Sequence, residues 1–348
     1  LREIGRMAPR VSVLGVLLAL ACGGESRPIV LDVRTDLPEN LRDYVEENFE
    51  ALHADIDVRF SVGGAQEGLD RLRAEIVDGS APDAPFDVWW GADVMTLSVA
   101  ASAGLLAPYR PSWASGDGRA AVGRDDSWYP LSITPWVIAF DRDDLQLSRA
   151  PTDWNDLRHF RWADEIEMLD PQRTEPGALF VASMLAYHER QTEVQAGFDW
   201  LSALDGQVET YAGSIPEALQ ALRSGGSRLA ILPRSDVEAE RASEAPSLHY
   251  RIPESGTPVL ARGVALISGT RERESAEAFV EYLGSREVGK ATKLETRWQP
   301  AFGGVDSTRI PDDFELVDPW TPHEPALDRI QSEGAGWIER WDREVRGR

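Results

Sequence analysis

IVLDVRTDLPENLRDYVEENFEALHADIDVRFSVGG, residues 29–64, changes its hydrophobic period twice. Its opening, PIVLDVRT with the preceding proline, is a short apolar run that reads as a strand. In residues 39–52, Leu41, Tyr44, Val45, Phe49 and Leu52 recur at intervals of three and four, which gathers them on one stripe of a helix. IDVRFSVGG at 56–64 returns to strand character. A helix between two strands carries the chain back along the sheet, so the second strand starts at the same end and pairs in parallel.

The unit repeats as the reading moves outward. EGLDRLRAEIV brings Leu69, Leu72, Ile76 and Val77 to one helical face, PFDVWWGAD is a third strand, and VMTLSVAASAGLL is a helix with Gly104 as a left-handed cap near its end. This βαβαβα opening predicts an α/β fold with a parallel, doubly wound sheet. Residues 110–127, RPSWASGDGRAAVGRDDS, read as a surface loop, and WYPLSITPWVIAF resumes strand character broken by Pro130 and Pro135. A second α/β block follows in EIEMLD, GALFVASMLAYH, SRLAILP and GVALIS. Length suggests two lobes.

Toward the N-terminus, Arg2, Arg6 and Arg10 precede Val11–Ala21, an uncharged run of 11 residues. A spanning helix needs about 20 apolar residues, so the run fits the core of a secretory signal instead. Ala19-Leu20-Ala21-Cys22 resembles the lipobox of bacterial lipoproteins, and Cys22 is the sole cysteine. The expectation is a signal peptide over 1–21, a lipid on the Cys22 thiol, and a tether over 22–28. With one cysteine no disulfide forms within the chain, and a composition that is 42% hydrophobic is enough to build a core. The formal charge of −23 becomes −25 once a leader carrying Arg2, Glu3, Arg6 and Arg10 is removed. Such a field repels nucleic acid and anionic lipid headgroups, and it keeps a protein soluble and monomeric.

In parallel sheets, ligands sit beyond the carboxyl ends of the strands. That singles out Thr35-Asp36, Gly63-Gly64-Ala65, Trp90-Gly91-Ala92-Asp93 and the turn 170–177, DPQRTEPG. In this turn Arg173 offers a fork of donors and Thr174 is placed to cap a helix whose exposed N–H groups suit an anion. Ser214-Ile-Pro-Glu217 matches a capping box. Of the two adjacent tryptophans, Trp90 is the one expected to line a cleft. Trp337 and Trp341, four apart, are expected to dock a terminal helix onto the body. The five histidines are scattered, and the sequence has no H-E-x-x-H, no G-x-S-x-G and no phosphate-binding G-x-x-x-x-G-K-[ST]. Neither an enzyme nor a cofactor is indicated.

In their order and spacing, DVWWGADVMTLSVAASAGLLAPYRP, WYPLSITPWVIAFDRD, PTDWNDL, EIEMLDPQRTEPG, GSIPEALQALRSGGSRLAILPRSD and GTPVLARGVALISGTRERESAEAFVEYL resemble bacterial extracellular solute-binding proteins. Within these they are similar to the ferric-ion, phosphosugar and phosphoglycerate group that serves ABC importers. The resemblance implies the type II periplasmic-binding-protein fold, with two α/β lobes, joined by two crossing strands, that close on a small-molecule ligand and deliver it to an importer permease. The crossings would fall near Ile133–Phe140 and Gly263–Ser268. The first lobe would comprise 29–132 and 269–300, the second 133–268, and a C-terminal helical segment, 301–348, would pack on both. Thr35, Gly64 and Trp90 would face the cleft from one lobe and Thr134 from a crossing, with Arg173, Thr174, Gly177 and Ser214 opposite.

Ferric-binding members typically grip the metal with two consecutive tyrosines and a histidine after the first strand. Here no two tyrosines are neighbours, and the first strand ends Val33-Arg-Thr-Asp36. The expected ligand is therefore an organic oxyanion, phosphorylated or carboxylated. The alternatives within the same fold are a ferric ion and a polyamine, the latter held by Trp90, Trp128, Trp136, Asp93 and Glu254. A sensor subunit for a membrane kinase would look the same in sequence, and a lipid-anchored hydrolase would require acid/base clusters that the sequence lacks.

Overall fold

The computed structural model describes residues 27–75, 84–114, 126–301, 321–323 and 326–346. The leader, Cys22 and most of the tether lie outside these, as does most of the loop after 114. No helix among the described residues is long and apolar enough to cross a membrane.

The elements run β1 (Ile29–Thr35), α1 (Glu39–Leu52), β2 (Ile56–Val62), α2 (Ala65–Glu75), β3 (Val88–Asp93), α3 (Val94–Ser102) and β4 (Leu106–Ala107). After the loop come β5 (Tyr129–Asp141), β6 (Ile166–Leu169), α4 (Glu175–Gln191), α5 (Val194–Asp205) and β7 (Val208–Ala212). The chain continues with α6 (Ile215–Ser224), β8 (Leu229–Pro233), α7 (Arg234–Ser243), β9 (Leu248–Arg251) and β10 (Val259–Ile267). It ends with α8 (Arg273–Leu283), α9 (Arg286–Thr296), β11 (Gln299–Pro300) and α10 (Leu327–Trp341).

β1 pairs in parallel with both β2 and β3, as the opening strand–helix–strand pattern requires. Leu41, Val45 and Phe49 of α1 are buried against this sheet, whereas Leu52, at the helix end, is left exposed. Gly104 takes the left-handed conformation just beyond α3. In the second lobe β6 is flanked in parallel by β7 and β8. The architecture is the two-lobed type II periplasmic-binding-protein fold, with antiparallel crossing strands inserted between parallel sets.

β5 is one continuous strand. Its first half, Ser132–Pro135 with Tyr129 and Pro130, pairs with β10, while Trp136–Asp141 pair with β8 and β9 of the other lobe. The two prolines sit where the ladder tolerates a missing donor. Pro130 lies beside the register shift, and Pro135 lies at the change of partners. The return crossing comes earlier than Gly263–Ser268, because Val264, Ala265 and Leu266 already pair with β3 in the first lobe. It is the stretch from Ile252, after β9, to Arg262.

Each lobe has its own apolar core, and the second incorporates the C-terminal helix through Ile330, Trp337 and Trp341. α10 also reaches across: Arg329 binds Glu189 of α4 through two nitrogens (2.6 and 2.9 Å), and Gln331 donates to Ser102 of α3 (2.9 Å). One helix therefore touches both lobes.

Candidate functional site

The strand ends of both lobes converge on a cleft of about 610 Å³. Asp36, Gly64, Gly91, Asp93 and Met95 border it from the first lobe, and Glu175, Pro176, Leu179, Ile215 and Asp236 from the second. Pro130 and Ile133 of β5, with Pro258–Arg262 on the return crossing, form its floor, and Trp298, His323 and Ile330 close it from the tail. A cavity of this size, mostly apolar with a few convergent polar groups, has the form of a small-molecule site.

The polar groups are unusual in sign. The carboxylates Asp36, Asp93, Glu175 and Asp236 face a single described cation, Arg262. That guanidinium is already engaged: it binds Asp36 at 2.7 Å and lies over the Trp298 ring at 4.9 Å. Asp93 caps α3, its Oδ1 accepting from Thr96 N–H at 2.7 Å, while its buried Oδ2 accepts from no N–H or hydroxyl group. The Glu175 carboxyl, at the first turn of α4, reaches across to Asp93. It is open to the water of the cleft yet walled by protein, and desolvation first, then the Asp93 charge, push it up to about 8. Desolvation also raises Asp236, opposed by a hydrogen bond from Ser235 and by the Arg262 charge. His323 is stacked on Tyr187, with ring centroids 3.8 Å apart, and desolvation lowers it to about 4, so it is a neutral imidazole. The Ser255 backbone lies beside its ring, but neither ring nitrogen makes a well-formed hydrogen bond.

The residues singled out from the sequence fall differently. Gly64 borders the cleft, and a Cβ built on it would meet nothing within 4 Å. Thr35 is buried and closes its own turn, accepting from Leu37 N–H at 3.1 Å. Trp90 packs in the first lobe's core against Phe60 and Phe279, because its side of the strand faces inward. Thr134 is fully buried, and its hydroxyl accepts from Ser235 N–H at 3.1 Å, which caps α7 from the crossing strand. Thr174 and Ser214 are helix caps, accepting from Gly177 N–H (3.2 Å) and Glu217 N–H (3.3 Å). Gly177 is buried where α4 meets β6, and a Cβ there would lie 2.8 Å from the Leu169 carbonyl. The Arg173 guanidinium covers Gly213 and does not border the cleft. Trp128 and Trp136 are core residues, and Glu254 is exposed away from the cleft. Glu175, Asp236, Arg262, Trp298 and His323 were missed. Glu175 and Asp236 could have been found as the residues just past a strand end, whereas Trp298 and His323 arrive from distant chain with no local signal.

Three comparisons bear on this geometry. The family described as bacterial extracellular solute-binding protein matches residues 38–293. A probable ABC transporter periplasmic-binding protein of Sinorhizobium fredii is 26% identical over 243 residues, 67% of this chain and 63% of that relative. The chain thus matches somewhat less than two thirds of that relative's length. Among solved structures, a Trichodesmium protein in complex with iron and citrate superposes with a TM-score of 0.75 at 17% identity, covering 90% of this chain and 98% of that one. Iron-bound HitA of Pseudomonas aeruginosa gives 0.74 at 17% identity, with coverage of 90% and 99%. AfuA of Actinobacillus pleuropneumoniae, with fructose 6-phosphate bound, gives 0.68 at 20% identity, with coverage of 92% and 98%. At these identities the likeness speaks for the fold, while the family match spans most of the chain. The chain belongs to the bacterial extracellular solute-binding proteins.

Proposed function

We propose that this chain is the extracytoplasmic receptor of an ABC importer, which captures a small molecule between its lobes and presents the closed form to a membrane permease. The observation that carries this is the cleft itself, bordered by both lobes and by both crossings. A ligand held there bridges the lobes, so its binding energy favours closure and exposes a ligand-dependent surface to a partner. The relative described as a probable ABC transporter periplasmic-binding protein supports transport over sensing. Lipidation of Cys22 would keep the receptor beside its permease, as a monomer, on the outer side of the membrane.

The oxyanion reading of the turn at 170–177 finds little support in the geometry. The Thr174 hydroxyl and the Gly177 N–H are bonded to one another, and Arg173 does not border the cleft. Iron finds little support either, since no tyrosine is among the residues lining the cleft, and among the described residues no three or more histidine, cysteine, aspartate or glutamate side chains are grouped to hold a metal ion.

The receptor reading is tested by ligand capture. The full chain is incubated with a metabolite extract of its host, washed and denatured, and the released small molecules are identified by mass spectrometry. One compound near equimolar with wild type, absent from a Gly64→Trp variant that fills the cleft, is the expected result. No bound compound, or equal amounts on both proteins, would overturn the reading.

A further inference from the structure

We infer that the cleft is built for an organic amine: a ligand that places a protonated nitrogen between Asp93 and Glu175 and lays an apolar body along the crossings. This assignment rests on the receptor reading above and names its ligand class.

The first argument is an excess of carboxylates, since the charge of Arg262 alone acts on Asp36, Glu175 and Asp236. Arg262 is matched by Asp36, and among the described residues no cation forms an ion pair with Asp93, Glu175 or Asp236. Asp93 and Glu175 come from opposite lobes and lie within hydrogen-bonding reach of each other. Two carboxylates in that position repel unless a proton or a cation stands between them. The fold nevertheless orients Asp93 firmly, spending its Oδ1 on the α3 cap and leaving the buried Oδ2 with no donor but a proton on the Glu175 carboxyl. Once that proton leaves, the acceptor is buried without a donor and the two charges repel, and a cationic donor supplied by a ligand removes both penalties.

The second, independent argument is His323. It is only 8% exposed and borders the cleft, yet neither ring nitrogen has a well-formed hydrogen bond. Held neutral, with one ring nitrogen beside the Ser255 backbone, it leaves the other to a hydroxyl or a second nitrogen on the ligand. The remaining lining separates an organic amine from other cations. Met95, Leu179, Ile215, Leu260 and Ile330 present apolar surface that an alkyl or aromatic body covers and a hydrated metal ion does not. An oxyanion would meet unpaired carboxylates at both lobes.

The test is isothermal titration of the full, ligand-stripped chain at pH 7.5. The probes are putrescine, spermidine and phenethylamine, with glucose 6-phosphate and Fe(III)-citrate as opposing classes. At least one amine is expected to bind. It should displace the proton shared by Asp93 and Glu175, so its apparent heat changes with the ionisation enthalpy of the buffer. Asp93→Asn, which keeps a capping side chain, and Glu175→Gln should each weaken that amine roughly 30-fold or more. Wild-type affinity in both variants would overturn the assignment. Binding of glucose 6-phosphate or Fe(III)-citrate without any amine would overturn it and leave the receptor reading standing. No binding by any probe would overturn it too, while the capture experiment decides the receptor reading by itself.

Discussion

Replacing Glu175 by Gln removes a charge that the cleft holds at a cost, and the cost depends on pH. The Glu175 carboxyl is raised from an ordinary 4.5 to about 8, first by desolvation and then by the Asp93 charge. The folded chain therefore binds this proton more tightly than the unfolded chain does. Stability contributed by the proton is present below the unfolded value and declines as pH rises across the window from 4.5 to about 8. One pKa unit corresponds to about 1.4 kcal/mol, so the unscreened difference approaches ~5 kcal/mol. Glu175 faces the water of the cleft, and screening cuts this to roughly 1–2 kcal/mol. Glu175→Gln has no proton to lose. With ligand stripped, its Tm should match wild type at pH 4 and exceed it by about 2–5 °C at pH 8.5, followed by scanning fluorimetry in half-unit steps. Asp93→Asn removes only the second of these causes and should show a smaller shift of the same sign, and the double variant should gain little over Glu175→Gln, since the repulsion is already gone there. A Tm difference that does not change between pH 4 and 8.5, or a variant less stable at high pH, would refute the reasoning.

Thr134→Val keeps the side-chain shape but removes the acceptor for Ser235 N–H inside the crossing. It should lower stability by about 1–3 kcal/mol, measured by urea denaturation, with no change in the slope against denaturant. Trp341→Ala empties a site that is 1% exposed, where the indole meets Tyr211 edge-on at 5.2 Å, and should cost about 3–5 kcal/mol. Because α10 contributes to the second lobe's core and also lines the cleft through Ile330, the same variant should lose affinity for whatever ligand wild type captures.

The fold was legible because its opening strands and helices carry their periods openly, and because a parallel arrangement dictates where loops converge. The turns chosen from that rule are the turns that form the cleft. Within each turn, however, the capping or turn-closing residue stood out in the sequence while its successor lines the site. Thr35 closes its turn and Asp36 faces the cleft; Thr174 caps α4 and Glu175 faces the cleft; Ser214 caps α6 and Ile215 faces the cleft. The reason is mechanical. A capping hydroxyl is turned back onto the N–H groups of its own helix, which satisfies it and removes it from the ligand's reach. At Thr174 and Ser214 the next residue begins the helical spiral and projects beyond the helix end into the space between lobes, while Asp36 lies in the turn ahead of α1. Asp93 does both because a carboxylate has two oxygens, one for the cap and one to spare. At Thr35 and Thr174 the shift by one residue also changes the chemistry, from hydroxyls that suggested an anion site to the carboxylates Asp36 and Glu175, while at Ser214 it gives the apolar Ile215. Where a strand ends in a capped helix, the first helical residue therefore carries more information about the ligand than the cap.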